Sequence, residues 1–127
     1  VCYGDYSRIY PEMLEFPVDE VDLELTNGDF EQIDVFTDPP FSTDLALGVV
    51  DVHDATVESV AEIEANIRQG LKVVPPDRLT VSPDCGMKLL PRQVAFEKMS
   101  NMVEAARSVE AALDAGEVEV SAPAAGD

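Results

Sequence analysis

Residues 45–52, Leu-Ala-Leu-Gly-Val-Val-Asp-Val, restrict the fold more than any other stretch of the chain. A strand with one face in water alternates polar and apolar residues. This one does not alternate, so both of its faces must be covered, as in parallel sheets lying under helices. Parallel neighbours need long crossovers, and the flanking sequence supplies them. Val21, Leu23 and Leu25 alternate with Asp22 and Glu24, which is the period of a strand. Phe30, Ile33 and Phe36 continue at helical spacing up to Asp38-Pro39-Pro40. After a loop through His53-Asp54, Ser59-Val60-Ala61-Glu62 is a capping box. It opens a helix with the stripe Val60, Ile63, Ile67, Leu71, stopped by Pro75-Pro76. A short strand, Leu79 to Val81, leads into a loop, Ser82 to Leu90. Pro91 suits a first helical turn, and Val94, Met99, Met102, Val103, Ala106 and Val109 are predicted as the core face of a helix ending near Leu113.

Upstream, Val1-Cys2-Tyr3 reads as the end of a strand, and Asp5 to Leu14 as a short helix closed before Pro17. The strand–helix unit therefore recurs about every 30 residues. The pattern predicts an α/β fold with a parallel sheet and right-handed crossovers. Four units would make half of a (β/α)8 barrel, or a small doubly wound sheet. Residues 1–113 are expected to form this domain, and 114–127, rich in Ala, Gly, Pro and acids, a frayed tail. In a partial barrel, Val21, Leu23, Leu25, Leu45, Leu47, Val49 and Val50 would supply an apolar inner layer. Val1 stands where an initiator Met is usual, so a processed chain or a fragment is expected.

Charge narrows the function. Asp plus Glu number 26 against 8 Lys plus Arg, a net charge of −18, and the first 58 residues carry a single base, Arg8. Such a surface repels nucleic acid and anionic membrane, which both call for clustered Lys and Arg. No apolar run reaches the roughly 18 residues that span a bilayer. The acids are scattered, which suits solvation in high salt better than a docking patch for a basic partner.

The polar residues near the strand ends carry the chemistry. Cys2, Glu24, His53 and Cys85 are separated by 22, 29 and 32 residues, close to one unit each. In parallel α/β folds active sites gather at the carboxyl ends of the strands. Cys, Glu and His are zinc-competent ligands, and thiolates exclude magnesium and calcium. The spacing leaves other readings open: an inert buried Cys85, a Cys2–Cys85 disulfide, or an unremarkable Glu24. Pro83-Asp84-Cys85-Gly86 looks like a site loop, with Gly86 offering a positive φ and close backbone approach.

Val1-Cys2-Tyr3, Asp51-Val52-His53 and Pro83-Asp84-Cys85-Gly86-Met87-Lys88 resemble the C-terminal catalytic barrel of cobalamin-independent methionine synthase. The likeness covers about residues 1 to 113 and is nearest to the short archaeal members. It implies a partial (β/α)8 TIM barrel, about the last four βα units. It also implies a zinc methyltransferase that makes methionine from homocysteine. Cys2, Glu24 and Cys85 match zinc ligands, and His53 matches the proton-donating His. The family's fourth ligand, a His, would precede Val1. Coordination to zinc deprotonates a thiol outright, and a His has a suitable pKa for protonating the methyl carrier as it leaves. Ser82, Leu89, Leu90 and the stretch Leu25-Thr26-Asn27-Gly28 depart from the long members. The methyl donor is therefore expected to be either methyltetrahydrofolate or a methylated corrinoid protein. Haloarchaeal members would account for the charge, and a cytoplasmic, halophilic enzyme is expected. Rival readings are a zinc methyltransferase acting on another thiol such as coenzyme M, and a non-catalytic acidic binding module.

Overall fold

A computed structural model describes residues 5–120 and residue 122 of the chain. Three strands, β1 (Glu20–Glu24), β2 (Asp44–Val50) and β3 (Leu79–Pro83), lie parallel in that order. Two helices follow β2 and β3: α1 (Val60–Gly70) and α2 (Arg92–Asp114). The α/β class with a parallel sheet is as expected. The expected strand end at Val1–Tyr3 lies outside the described residues, as do 121 and 123–127 of the tail. No helix among the described residues is long and apolar enough to cross a membrane.

β2 is central and buried on both faces from Leu45 to Val50. In register, Leu23, Leu47 and Val81 form one row, and Val21, Leu45 and Leu79 another. This side packs with Ile63 and Ile67 of α1 and with Met102, Ala105 and Val109 of α2. A Cβ on Gly70 would stand 2.8 Å from the Leu47 side chain and 3.0 Å from that of Leu79, so glycine lets the end of α1 approach the sheet without displacing these leucines.

The other face of the sheet corrects an expectation. It carries Glu20, Asp22 and Glu24 of β1, Ala46 and Gly48 of β2, and Thr80 and Ser82 of β3. The Thr80 hydroxyl donates to Glu20 at 3.2 Å, and the Ser82 hydroxyl to Asp22 at 3.5 Å. The leucines assigned to an open inner layer are instead buried against the chain's own helices. The alternation in β1 was legible, but its inward direction was reversed: the apolar residues meet the helices and the carboxylates meet the opposite side.

The helix expected at 5–14 is two 3-10 turns, Tyr6–Arg8 and Glu12–Glu15. The helical spacing after Asn27-Gly28 likewise yields 3-10 turns, Thr26–Gly28 and Ile33–Thr37. Pro11 has no N–H to donate and so breaks an α-helical ladder. Asp29 and Phe30 adopt left-handed φ values of 48° and 59°, which end any helix there. Burial compensates: Phe30 is tucked into the core, and Tyr6, Tyr10, Phe36 and Phe41 form an aromatic cluster with centroids 5.3–6.4 Å apart.

The capping box is present, with Ser59 and Glu62 each bonding the other's backbone N–H. On α2 the predicted core face is wrong in part. Met102 and Val109 are buried, but Met99 and Val103 are exposed, and Lys98 and Ala105 take their places inside. A 23-residue helix carries two apolar stripes here, and the sequence pattern merged them. The inward one runs 98-102-105-109, beginning with a charged residue.

Candidate functional site

The carboxyl ends of β1, β2 and β3 present Glu24, the Asp51–His53 loop and the Asp84–Cys85 loop on one rim of the sheet. Glu24 is the last residue of β1 and pairs in register with Gly48, which pairs with Ser82. Among the described residues, its buried Oε1 has no hydrogen-bond partner. Such an atom is costly to leave unsatisfied. The Tyr6 hydroxyl donates to the Glu24 backbone carbonyl at 3.4 Å, and burial, reinforced by the nearby Glu24 and Asp84 charges, raises the Tyr6 pKa.

Asp84 lies directly over Gly48. A Cβ there would come within 2.8 Å of the Asp84 Cα, so the close approach requires glycine. The Asp84 N–H donates to the Val50 carbonyl at 2.9 Å, and its Oδ2 accepts from the Thr26 hydroxyl. Its buried Oδ1 has no partner among the described residues. Burial pushes the Asp84 carboxyl up to about 6; the Thr26 bond opposes this, and the charges of Glu24 and Asp51 add to it. A carboxyl displaced toward neutrality beside other ionisable groups is a recurring mark of functional sites.

Cys85 is exposed, with a free thiol, which removes the reading of an inert buried cysteine. The room expected of Gly86 is not used for close packing: its φ is not left-handed, and no atom lies within 4 Å of where a Cβ would stand. Gly48 is the glycine the rim depends on. His53 is exposed on the loop after β2. Its N–H donates to Asp51 Oδ1 at 2.8 Å, and its Nδ1 lies 3.3 Å from the same oxygen.

Cys2 lies outside the described residues. Among the described residues, no group of three or more His, Cys, Asp or Glu side chains is placed to hold a metal ion. The donors on the rim nevertheless fit zinc in kind. A buried carboxylate oxygen is a hard donor and a thiolate a soft one, and zinc, a borderline ion, accepts both.

Residues 1–108 match the family described as "Cobalamin-independent synthase, Catalytic domain". The chain belongs to this family. Methionine synthase of Saccharolobus solfataricus is 38% identical over 109 residues, covering 86% of this chain and 33% of that protein. Methionine synthase of Sulfurisphaera tokodaii is 37% identical, covering 86% of this chain and 32% of that one. The chain thus spans about a third of the length of these relatives. Among solved structures, the B12-independent methionine synthase of Shewanella sp. W3-18-1, in complex with selenomethionine, superimposes with a TM-score of 0.76. It is 27% identical, over 87% of this chain and 32% of that one.

Two features of the rim escaped sequence reasoning. The Gly48–Asp84 approach joins β2 to the loop after β3, and only the glycine within β2 hinted at it. The support beneath His53 involves Glu58 and Lys98, neither of which carries a motif.

Proposed function

We propose that the family member carrying this chain transfers a methyl group to the thiol of homocysteine and so forms methionine. Cys2, Glu24 and Cys85 would hold zinc, and His53 would donate a proton to the departing methyl carrier. The observation that carries the reading is the buried, partnerless Glu24 Oε1, on the same strand-end rim as the accessible Cys85 thiol and His53. When bound, zinc would convert the acceptor thiol to a thiolate at neutral pH.

The chain's own residues do the rest. Glu24 offers an oxygen from a rigid strand end. Cys85 offers a sulfur from a loop anchored by the Asp84 bonds to Val50 and Thr26. Asp51 faces Nδ1 of His53, and the imidazole is the group that would pass a proton to the leaving group. The donor is methyltetrahydrofolate or a methylated corrinoid protein. Neither nucleic acid nor membrane is a partner, in keeping with a net charge of −18.

We further infer that β1–β3 are a segment of a (β/α)8 barrel, with 1–113 in the barrel and 114–127 an acidic tail. The similarity to the Shewanella enzyme supports the barrel. Free thiols as ligands suit a reducing, cytoplasmic setting, and scattered surface carboxylates suit a halophile. The test is methionine formation from homocysteine and each labelled donor in turn. His53→Asn should lower turnover about 10²–10⁴-fold with little change in the KM for homocysteine. Undiminished turnover would remove the acid role.

A further inference from the structure

Lys98 is the one fully buried charged side chain among the described residues. Nothing in the proposed chemistry uses it, and the packing of α2 alone does not call for it. An ammonium withdrawn from water is destabilising unless it is well paired, and an apolar side chain of similar size would pack at least as well. Its position is better understood from its partners. Lys98 Nζ donates to Glu58 Oε1 and, at 2.6 Å, to the Thr56 carbonyl. Glu58 then uses its second oxygen, Oε2, to accept the Asp51 N–H at 2.8 Å. Asn101, one helical turn beyond Lys98, donates to the Glu58 carbonyl at 2.8 Å. Asp51 in turn accepts the His53 N–H at 2.8 Å and faces its Nδ1.

These bonds run without interruption from the interior of α2 to the histidine on the rim. Every link has an end in the loop between β2 and α1, and three of them reach it from a helix about forty residues downstream. We propose that Lys98 and Glu58 are positioning residues, which fix the loop so that His53 is presented at the strand-end rim. The inference rests on the reading of His53 as the proton donor for its functional meaning, but the positioning itself is a separate physical statement. Glu58 is the pivot: it is the acceptor for the loop backbone, and it keeps its orientation only while the buried ammonium holds its other oxygen. Val52 is the one buried side chain of this loop next to His53, and His53, Asp54, Ala55 and Thr56 beyond it are all exposed, so the tether supplies the hold that packing there does not.

The test is site-resolved amide hydrogen exchange on the full 127-residue chain. Lys98→Met keeps the volume and removes the charge. It should speed exchange at Asp51 and His53 at least about tenfold, while the amides of Met102 and Ala105 on the same helix exchange as before. A purely structural role for Lys98 would do the reverse, loosening α2 and leaving the loop amides unchanged, and that result would overturn the proposal. Should Lys98→Met leave Glu58 too poorly paired for the chain to fold, the double variant Lys98→Met with Glu58→Leu removes both charges. The same acceleration at Asp51 and His53 is expected there, and normal protection at both amides would again overturn it. The imidazole is the only one in the chain, so its carbon and nitrogen resonances give a second readout. The balance of Nδ1–H and Nε2–H tautomers should move in the variants, because Asp51 no longer faces Nδ1 in one orientation. Exchange rates report position and not chemistry. Loss of the His53 acid role in the methyl-transfer assay would therefore leave this proposal standing, and unchanged exchange would reject it whatever His53 does.

Discussion

The helix side of the sheet and its carboxyl-end rim are built to opposite standards. Between the sheet and the helices, Leu45, Leu47, Val49, Val50, Ile63 and Ala105 have no exposed surface, and the one charge there, Lys98, is paired. On the rim, a few ångströms of backbone away, Glu24 and Asp84 each keep a buried oxygen without a partner. Asp84 is also crowded against Gly48 and pushed toward neutrality. A fold selected only for stability would not leave the second region like this. On the proposed function, two of these broken rules stand where a metal would be met, and the well-packed side supplies the rigidity that tolerates them; the third such group among the described residues, Thr43 Oγ1, lies just before the amino end of β2.

The contrast predicts that substitutions on the two sides separate stability from binding. The largest effect belongs to the packed side. Leu47→Ala should cost about 2–5 kcal/mol in denaturant unfolding, because Leu47 is fully buried and Gly70 already presses on it. The comparison breaks if this loss is below about 1 kcal/mol, since the helix side would then be loosely packed too.

A smaller effect lies in the aromatic cluster. Burial pushes the Tyr10 hydroxyl up to about 12 from its ordinary 10, with the Asp38 charge adding to it. The hydroxyl donates to the Phe36 and Pro39 carbonyls. Because the folded-state value is the higher one, the folded chain holds this proton more tightly. Its contribution is complete below pH 10 and is lost as pH rises from about 10 to 12. Allowing for solvent screening, the loss should be about 1–2 kcal/mol. Tyr10→Phe should flatten this alkaline limb of the stability profile, which thermal melts across that pH range would show.

The smallest effect belongs to the rim. Cys85 is exposed and bonded to nothing that holds the fold. Cys85→Ser should change stability by no more than about 0.5 kcal/mol. A much larger loss in metal-free protein would make the cysteine a structural residue.

The same contrast explains what could be read from the sequence. β2 was legible because an unbroken apolar run has few other uses, and α1 because a capping box is local. Glu24, His53 and Cys85 were legible as strand-end residues, since the strand periods locate those ends. The stretches 5–16 and 26–43, on either side of β1, were not. Their helical spacing is real, but Pro11, the left-handed Asp29 and Phe30, and Pro39-Pro40 divide them into 3-10 turns. The aromatic contacts between them join residues some 26–31 positions apart, such as Tyr10 with Phe36 and Phe41 with Tyr10. Lys98 was missed for a similar reason. A lysine inside an apolar stripe reads as the edge of the stripe until its partner forty residues away is seen. The direction of β1 was reversed because alternation alone shows two faces without saying which one the helices cover.

The central proposal is that Glu24 and Cys85 on the rim, together with Cys2, hold a metal. Its most direct test is zinc affinity by chelator competition, for the unmodified chain and for Glu24→Gln and Cys85→Ser. The account predicts one zinc per chain, with each substitution weakening binding at least about tenfold and binding strengthening with pH as thiols ionise. A chain that binds no zinc, or binds it equally well without the Glu24 carboxylate and the Cys85 thiol, would contradict it.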